Sequence, residues 1–294
     1  MSDIKLRYWI MACRPKTLAA SIAPVLIGTG MAFGDGIHHF PTAILCLLAA
    51  LSIQIGTNLA NDYFDFVKGT DDDERIGPVR VTQAGLIKPE IVRNGFLLTF
   101  AFSTVISLIL MYRGGWPIAL IGFLSIVSGI LYTAGPKPLG YLGFGDIFVL
   151  IFFGPVAVAG TYYVQSYELN MAVVLAGFGP GLLSVAILSI NNLRDVSGDR
   201  RSGKKTLAVR FGEYFARCEY LFTIIAAALI PVVIYGLIND HVYILFSSCI
   251  LVMAIPTMIT VSSRADGPAL NDALAFSGKL LLIYSVIFVI GWVV

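Results

Sequence analysis

Nine stretches of mostly apolar residues recur along the chain, at about 17–34, 41–61, 91–112, 116–133, 145–164, 169–190, 214–237, 242–261 and 275–294. Each is close to the roughly 20 residues that a helix needs to cross a hydrocarbon core. Once in lipid, a chain must satisfy its backbone polar groups internally, so these segments are expected to be helices rather than open strands. Several contain proline, at Pro24, Pro155, Pro180 and Pro231. Membrane helices tolerate it when neighbours take up the freed backbone groups. Composition agrees: 57% of residues are hydrophobic and 13% charged, against roughly 25% charged in soluble domains. The expected fold is an all-α polytopic membrane protein with nine transmembrane helices, forming one domain over 1–294. No linker or low-complexity tract divides it.

The charges give the orientation. The N-terminus and the loops after the second, fourth, sixth and eighth spans, with the adjoining helix ends, hold 19 of the 20 Lys and Arg residues. Arg113 alone falls on the other side. Lys and Arg collect on the cytoplasmic face, so the N-terminus is expected inside and the C-terminus outside. No cleavable leader is visible before the first span, which favours a multi-pass protein of a bacterial cell (inner) membrane. The cysteines, Cys13, Cys46, Cys218 and Cys249, form no CxxC and imply no disulfide framework. His38, His39 and His241 lie in short loops away from the acidic clusters, which argues against a His-based metal centre.

The segment Gly56–Pro78 poses a problem of cost. It carries Asn58, Asn61, Asp62 and Asp65 directly after an apolar run, then Asp71, Asp72, Asp73 and Glu74. At about 100° per residue, Asn58, Asp62 and Asp65 fall within about 60° of one another on a helix. A second cluster, "NNLRDVSGDRRSGKKTL", places Asn191, Asp195 and Asp199 at i, i+4 and i+8, spanning about 80°. One Asp at mid-membrane costs at least about 2.5 kcal/mol. Four facing lipid would cost roughly 10 kcal/mol, comparable to the stability of a whole domain. These groups must therefore face a polar cavity, water, cations or each other.

Oxygen-only donors suit Mg2+, Mn2+ or Ca2+. Mg2+ is commonly held by one or two carboxylates, with phosphate oxygens and waters completing its shell. Two clusters beside basic residues fit a diphosphate bridged by Mg2+. Lys68, Arg75, Arg80, Lys137, Arg194, Arg200, Lys204 and Lys205 are the basic candidates. The competing reading makes each Asp a solvated helix end and each Lys or Arg a mark of the cytoplasmic face. It suits residues 71–74, read as a solvated loop that Asp71 could leave to join the metal site. It suits two same-face clusters poorly. There is no GxSxG elbow and no P-loop, and the glycines of "GFGPGLL" at 177–183 read as helix packing or a kink.

"NxxND-Y-x-D" at 58–65 and "NxxRDxxxDxxxGKxTL" at 191–207 resemble the two signature motifs of the UbiA-type intramembrane prenyltransferases. The resemblance extends to "YTAGPKPLGYLGFGD" at 132–146 and covers nearly the whole chain. "RPKTL" at 14–18, "NLANDYFDFVKGTD" and "RIGPVRVTQAGLI" are most similar to the branch acting on 1,4-dihydroxy-2-naphthoate. Gly69, where the 4-hydroxybenzoate branch commonly has Asp, and Asn191, in place of a leading acid, point the same way.

The resemblance implies Mg2+-dependent transfer of a polyprenyl group from polyprenyl diphosphate to the naphthoate. Asp62, Asp65, Asp195 and Asp199 would be catalytic, and with Asn58 and Asn191 would hold the metal. Lys68, Arg75, Tyr132, Lys137, Arg194, Arg200 and Lys204 would contact the diphosphate. The site would face the cytoplasm, the isoprenoid tail would lie against the lipid bilayer, and no nucleic acid is expected. A 4-hydroxybenzoate- or homogentisate-type acceptor, an ion-coupled transporter and a non-catalytic lipid-diphosphate carrier remain as alternatives.

Overall fold

The computed structural model describes residues 2–69, 77, 79–264 and 266–294. Among them the regular structure is entirely helical, with no strand. The chain opens with α1 (Ser2–Cys13) and turns sharply at Arg14, whose φ of 51° is left-handed. It continues as α2 (Pro15–Gly34), α3 (Phe40–Lys68), α4 (Pro89–Gly114) and α5 (Trp116–Leu131). A 3-10 turn (Leu139–Tyr141) precedes α6 (Gly145–Phe152) and α7 (Pro155–Ser166). Then come α8 (Met171–Arg194), α9 (Val196–Arg201), α10 (Leu207–Phe211) and α11 (Glu213–Ile238). A second 3-10 turn (Val242–Cys249) leads to α12 (Ile250–Met253), α13 (Ile255–Ser263) and α14 (Gly267–Val293).

Eight segments among the described residues are long and apolar enough to cross a membrane: α2, α3, α4, α6 with α7, α8, α11, the run Val242–Ser263, and α14. The fourth stretch expected from hydropathy is the 16-residue α5, about 24 Å long at 1.5 Å per residue. Two expected spans are broken helices. Pro155 lacks the N–H that would continue α6, so the chain restarts there as α7. The break packs on α8 because both sides are glycine: a Cβ on Gly177 would stand 2.5 Å from Pro155 Cα. This is the packing role expected of "GFGPGLL". The last helix begins at Gly267, earlier than 275, because Asp266 caps it by accepting from Ala269 N–H at 3.0 Å.

The largest buried cluster joins α2, α7, α8, α11 and α14, around Ile27, Leu183, Ile190, Ile224 and Tyr284. A second joins α1, α3 and the start of α4 through Leu59, Phe96 and Phe100. Large apolar side chains such as Leu98, Phe102, Phe123, Phe222 and Ile259 are exposed on the outer surface. An outward apolar face of that size is costly in water and favourable in a bilayer. The last turn of α3 and the α8–α9 junction meet at one end of the bundle, where the acidic clusters lie.

Candidate active site

That end contains a cavity of about 810 Å3 lined by Asn61, Asp65, Arg80, Tyr132, Tyr141, Asn191, Arg194, Asp195, Asp199 and Lys204, among others. The two acidic clusters, more than 120 residues apart in sequence, therefore share one chamber. A second, mostly apolar cavity of about 290 Å3 lies between α2, α3, α5, α6 and α7. Gln54, Asn61, Tyr132, Val149 and Phe153 line both. A polar chamber thus abuts an apolar one across a shared wall.

The first cluster divides its work. Asp65 faces the cavity, where Arg80 Nη2 pairs with its Oδ2 at 2.6 Å and the Tyr141 hydroxyl donates to its Oδ1 at 3.2 Å. Asp62 is buried and does not line the chamber: it accepts from the backbone N–H groups of Val81 and Thr82, both at 3.1 Å. The Thr82 hydroxyl donates to Asp62 O at 3.2 Å. Asp62 thereby anchors the turn that carries Arg80. Asn58 Nδ2 donates to Cys13 O at 2.9 Å and Thr17 Oγ1 at 3.1 Å, tying α3 to the α1–α2 corner, and lines the apolar cavity. Asn61 takes the chamber-facing place, with Oδ1 accepting from the Thr133 hydroxyl.

The second cluster follows its expected spacing through a kink. α8 ends at Arg194, Asp195 forms the junction, and α9 carries Asp199, whose N–H donates to Asp195 O at 2.8 Å. Arg194 is buried and forks onto Asp195, Nε to Oδ1 at 2.8 Å and Nη2 to Oδ2 at 2.6 Å. It also donates to Asn191 Oδ1 at 2.8 Å and to Asn271 Oδ1 on α14 at 2.7 Å. Lys204 Nζ stands 3.5 Å from Asp199 Oδ1. Each chamber carboxylate therefore has a protein cation beside it, as expected where like charges crowd in a low-dielectric site.

The other nominated residues separate. Tyr132 lines both cavities. Its phenol, protonated at neutral pH, can act there as a hydrogen-bond donor. Lys68 Nζ donates to Thr133 O and to Gly135 O, the latter at 3.1 Å. Lys137 and Arg200 are exposed and do not line the chamber, whereas Arg201 does. Arg75 and residues 71–74 lie outside the described residues. Asn271 and Tyr141 were not nominated from sequence. Asn271 sits on a distant helix with no motif around it. Tyr141 lies within the quoted segment 132–146, but its orientation depends on the fold.

The donor set fits Mg2+ better than a softer ion, since the Asp and Asn residues that line the chamber, Asp65, Asp195, Asp199, Asn61 and Asn191, offer oxygen donors and no His or Cys stands among them. No group of three or more His, Cys, Asp or Glu among the described residues is arranged to hold a metal alone. That suits Mg2+ bound by one or two carboxylates and completed by phosphate and water.

Helices enclosing a polar chamber that carries two Asp-rich motifs, set against an apolar cavity, define an intramembrane prenyltransferase fold. The UbiA prenyltransferase family matches residues 21–292, and the chain belongs to it. Curated relatives are similar along most of their length. The 1,4-dihydroxy-2-naphthoate octaprenyltransferase of Escherichia coli (strain K12) is 36% identical, covering 96% of this chain and 94% of that protein. Its namesake in Haemophilus influenzae is 35% identical over 99% and 97% of the two chains. Among solved structures, a UbiA homolog from Archaeoglobus fulgidus bound to GPP and Mg2+ superposes with a TM-score of 0.69. It covers 96% of this chain and 99% of that one at 16% identity. At that identity the likeness shows the fold.

Proposed function

We propose that the protein transfers a polyprenyl group from polyprenyl diphosphate to 1,4-dihydroxy-2-naphthoate, releasing CO2 and diphosphate and giving demethylmenaquinol for menaquinone biosynthesis. The observation that carries this reading is the shared wall between the acidic chamber and the apolar cavity. It suits a ligand with a diphosphate head and a hydrocarbon tail. Relatives of more than 30% identity bearing the naphthoate name support the choice of acceptor.

Asp65, Asp195 and Asp199 would hold Mg2+, with Asn61 and Asn191 beside them. The bound ion would neutralise charge on the departing diphosphate. Arg80, Arg194 and Lys204 stand beside those carboxylates on the chamber lining and would contact the phosphate oxygens of a bound diphosphate. Tyr132, protonated and on the shared wall, can donate to the bridging oxygen that links the tail to the diphosphate. Phe148, Phe152 and Phe153 line the apolar cavity and can screen the allylic cation from water through their ring faces. The electron-rich ring carbon bearing the carboxylate attacks that cation. The new C–C bond forms there, CO2 leaves with its electron pair returned to the ring, and no strong base is required.

The protein would span the cell membrane nine times, with α5 as the short fourth span, its N-terminus and active site cytoplasmic and its C-terminus outside. The 19-to-1 distribution of Lys and Arg supports that orientation. The test is a product assay with purified protein, Mg2+, prenyl diphosphates and acceptor labelled at the carboxyl carbon. Labelled CO2 should appear in step with prenylated product. Label retained in the product, or consumption of 4-hydroxybenzoate alone, would defeat the assignment.

A further inference from the structure

Tyr141 belongs to neither acidic motif and touches parts of both. Its hydroxyl donates to Asp65 Oδ1 at 3.2 Å. Lys68 Nζ, at the end of the same helix as Asp65, lies 4.9 Å from the centre of the Tyr141 ring, and Lys204 Nζ, from the second motif, lies 5.0 Å from it. Its backbone is bound to the second motif as well. Lys205 N–H donates to Tyr141 O at 2.9 Å, and Arg210 Nη2 donates to Leu142 O at 2.7 Å. Two residues on, Gly143 has φ 76°, and a Cβ there would stand 2.7 Å from Lys205 O, so the two loops meet closely.

Two ammonium groups gathered at one place repel each other. The negative face of an aromatic ring offsets that repulsion by attracting both. Here the ring and Lys204 line the chamber, while Lys68 is exposed outside that lining, where the carbonyls of Thr133 and Gly135 steady it. We infer that Tyr141 is a positioning residue for the donor diphosphate. Its ring holds Lys68 and Lys204 as a pair of cations drawn from the two halves of the site, and its hydroxyl fixes Asp65 beside them. A diphosphate entering the chamber meets Lys204 already placed by the ring, with the charge of Lys68 held on the same ring outside the lining, and the cost of ordering these two long side chains is already met by the fold. The inference rests on the prenyl-diphosphate reading above.

The test is equilibrium binding of inorganic pyrophosphate and of geranyl diphosphate to the purified full chain with Mg2+, alongside steady-state kinetics. Tyr141→Leu should weaken both ligands by roughly tenfold and raise the donor KM while leaving the acceptor KM unchanged. Tyr141→Phe, which keeps the ring, should bind pyrophosphate within about threefold of wild type. If Tyr141→Leu does not fold, phenylalanines carrying successive fluorines at position 141 keep the shape and drain the ring face, and affinity should fall stepwise with each fluorine. Wild-type affinity in the Leu variant, a Phe variant as weak as the Leu variant, or indifference to fluorination would each overturn the inference. Failure of the wild-type chain to bind either ligand would instead overturn the prenyl-diphosphate reading beneath it.

Discussion

Arg80 and Asp65 form a buried ion pair, Nη2 to Oδ2 at 2.6 Å, with side chains only 6% and 4% exposed. The pair joins a loop to the last turn of α3 and places a guanidinium where the first motif meets the chamber. Asp65→Ala removes the carboxylate that faces both the cavity and Arg80. Turnover is expected to fall at least about 100-fold, in line with the loss of a charged group that acts at the transition state. Losing one partner of a buried pair should also cost about 3–5 kcal/mol of stability. Turnover and thermal unfolding in detergent check this, and near-normal turnover would remove Asp65 from the site.

Asp62 offers a contrast within the same cluster. Its oxygens accept from two backbone N–H groups, so Asp62→Ala removes two of the bonds that tie the turn at 80–82 to α3 and leaves the Arg80–Asp65 pair and the Thr82 hydroxyl to hold it. A lost buried hydrogen bond to a charged group costs about 1.5–3 kcal/mol. The variant is expected to lose stability and turnover together. Full stability with turnover abolished would mean that Asp62 serves a metal directly and the turn holds without it.

The apolar cavity can be filled from one side. Gly160 lines it, and a Cβ there meets only Ile121 Cδ1 at 3.5 Å. Gly160→Phe should raise the KM for long prenyl donors by about tenfold or more, consistent with lost burial of a few methylene groups, and should affect a C5 donor less. Equal effects on short and long donors would place the tail elsewhere.

Orientation can be read with a reporter. One fused after Val294 should report the outside, and one at the N-terminus the cytoplasm. At about 24 Å, α5 is shorter than a hydrocarbon core of about 30 Å, so its crossing would require the bilayer to thin there or flanking residues to reach the interface. A cytoplasmic signal from the C-terminal reporter would show that α5 does not cross.

Chelation gives a separate check on the metal. Removing divalent cations should abolish turnover and geranyl diphosphate binding while helicity by circular dichroism is retained, because the chamber carboxylates have protein cations beside them. Loss of helicity on chelation would make the ion structural instead.

The helices were legible because hydropathy acts locally: an apolar run of sufficient length has few alternatives in lipid. The i, i+4 and i+8 spacing of Asn191, Asp195 and Asp199 was legible for the same reason, since a helix fixes side-chain direction over a few turns. The division between Asp62 and Asp65 was not. Both lie on one face of α3, and only the turn carrying Val81 and Thr82, folded back from about 20 residues away, decides that Asp62 meets backbone N–H groups while Asp65 meets the cavity.

Tyr141 and Asn271 mark the limit most plainly. No local pattern distinguishes either from other polar residues in loops and helix starts. Sequence alone determined that the chain is helical, membrane-spanning and furnished with two oxygen-rich clusters biased to one face, because those properties depend on composition and short-range periodicity. The tertiary structure decided which residues line the chamber, which cations stand beside its carboxylates and that one aromatic ring touches both halves of the site. Those outcomes depend on contacts between segments far apart in the chain, and such contacts are set by packing the whole bundle.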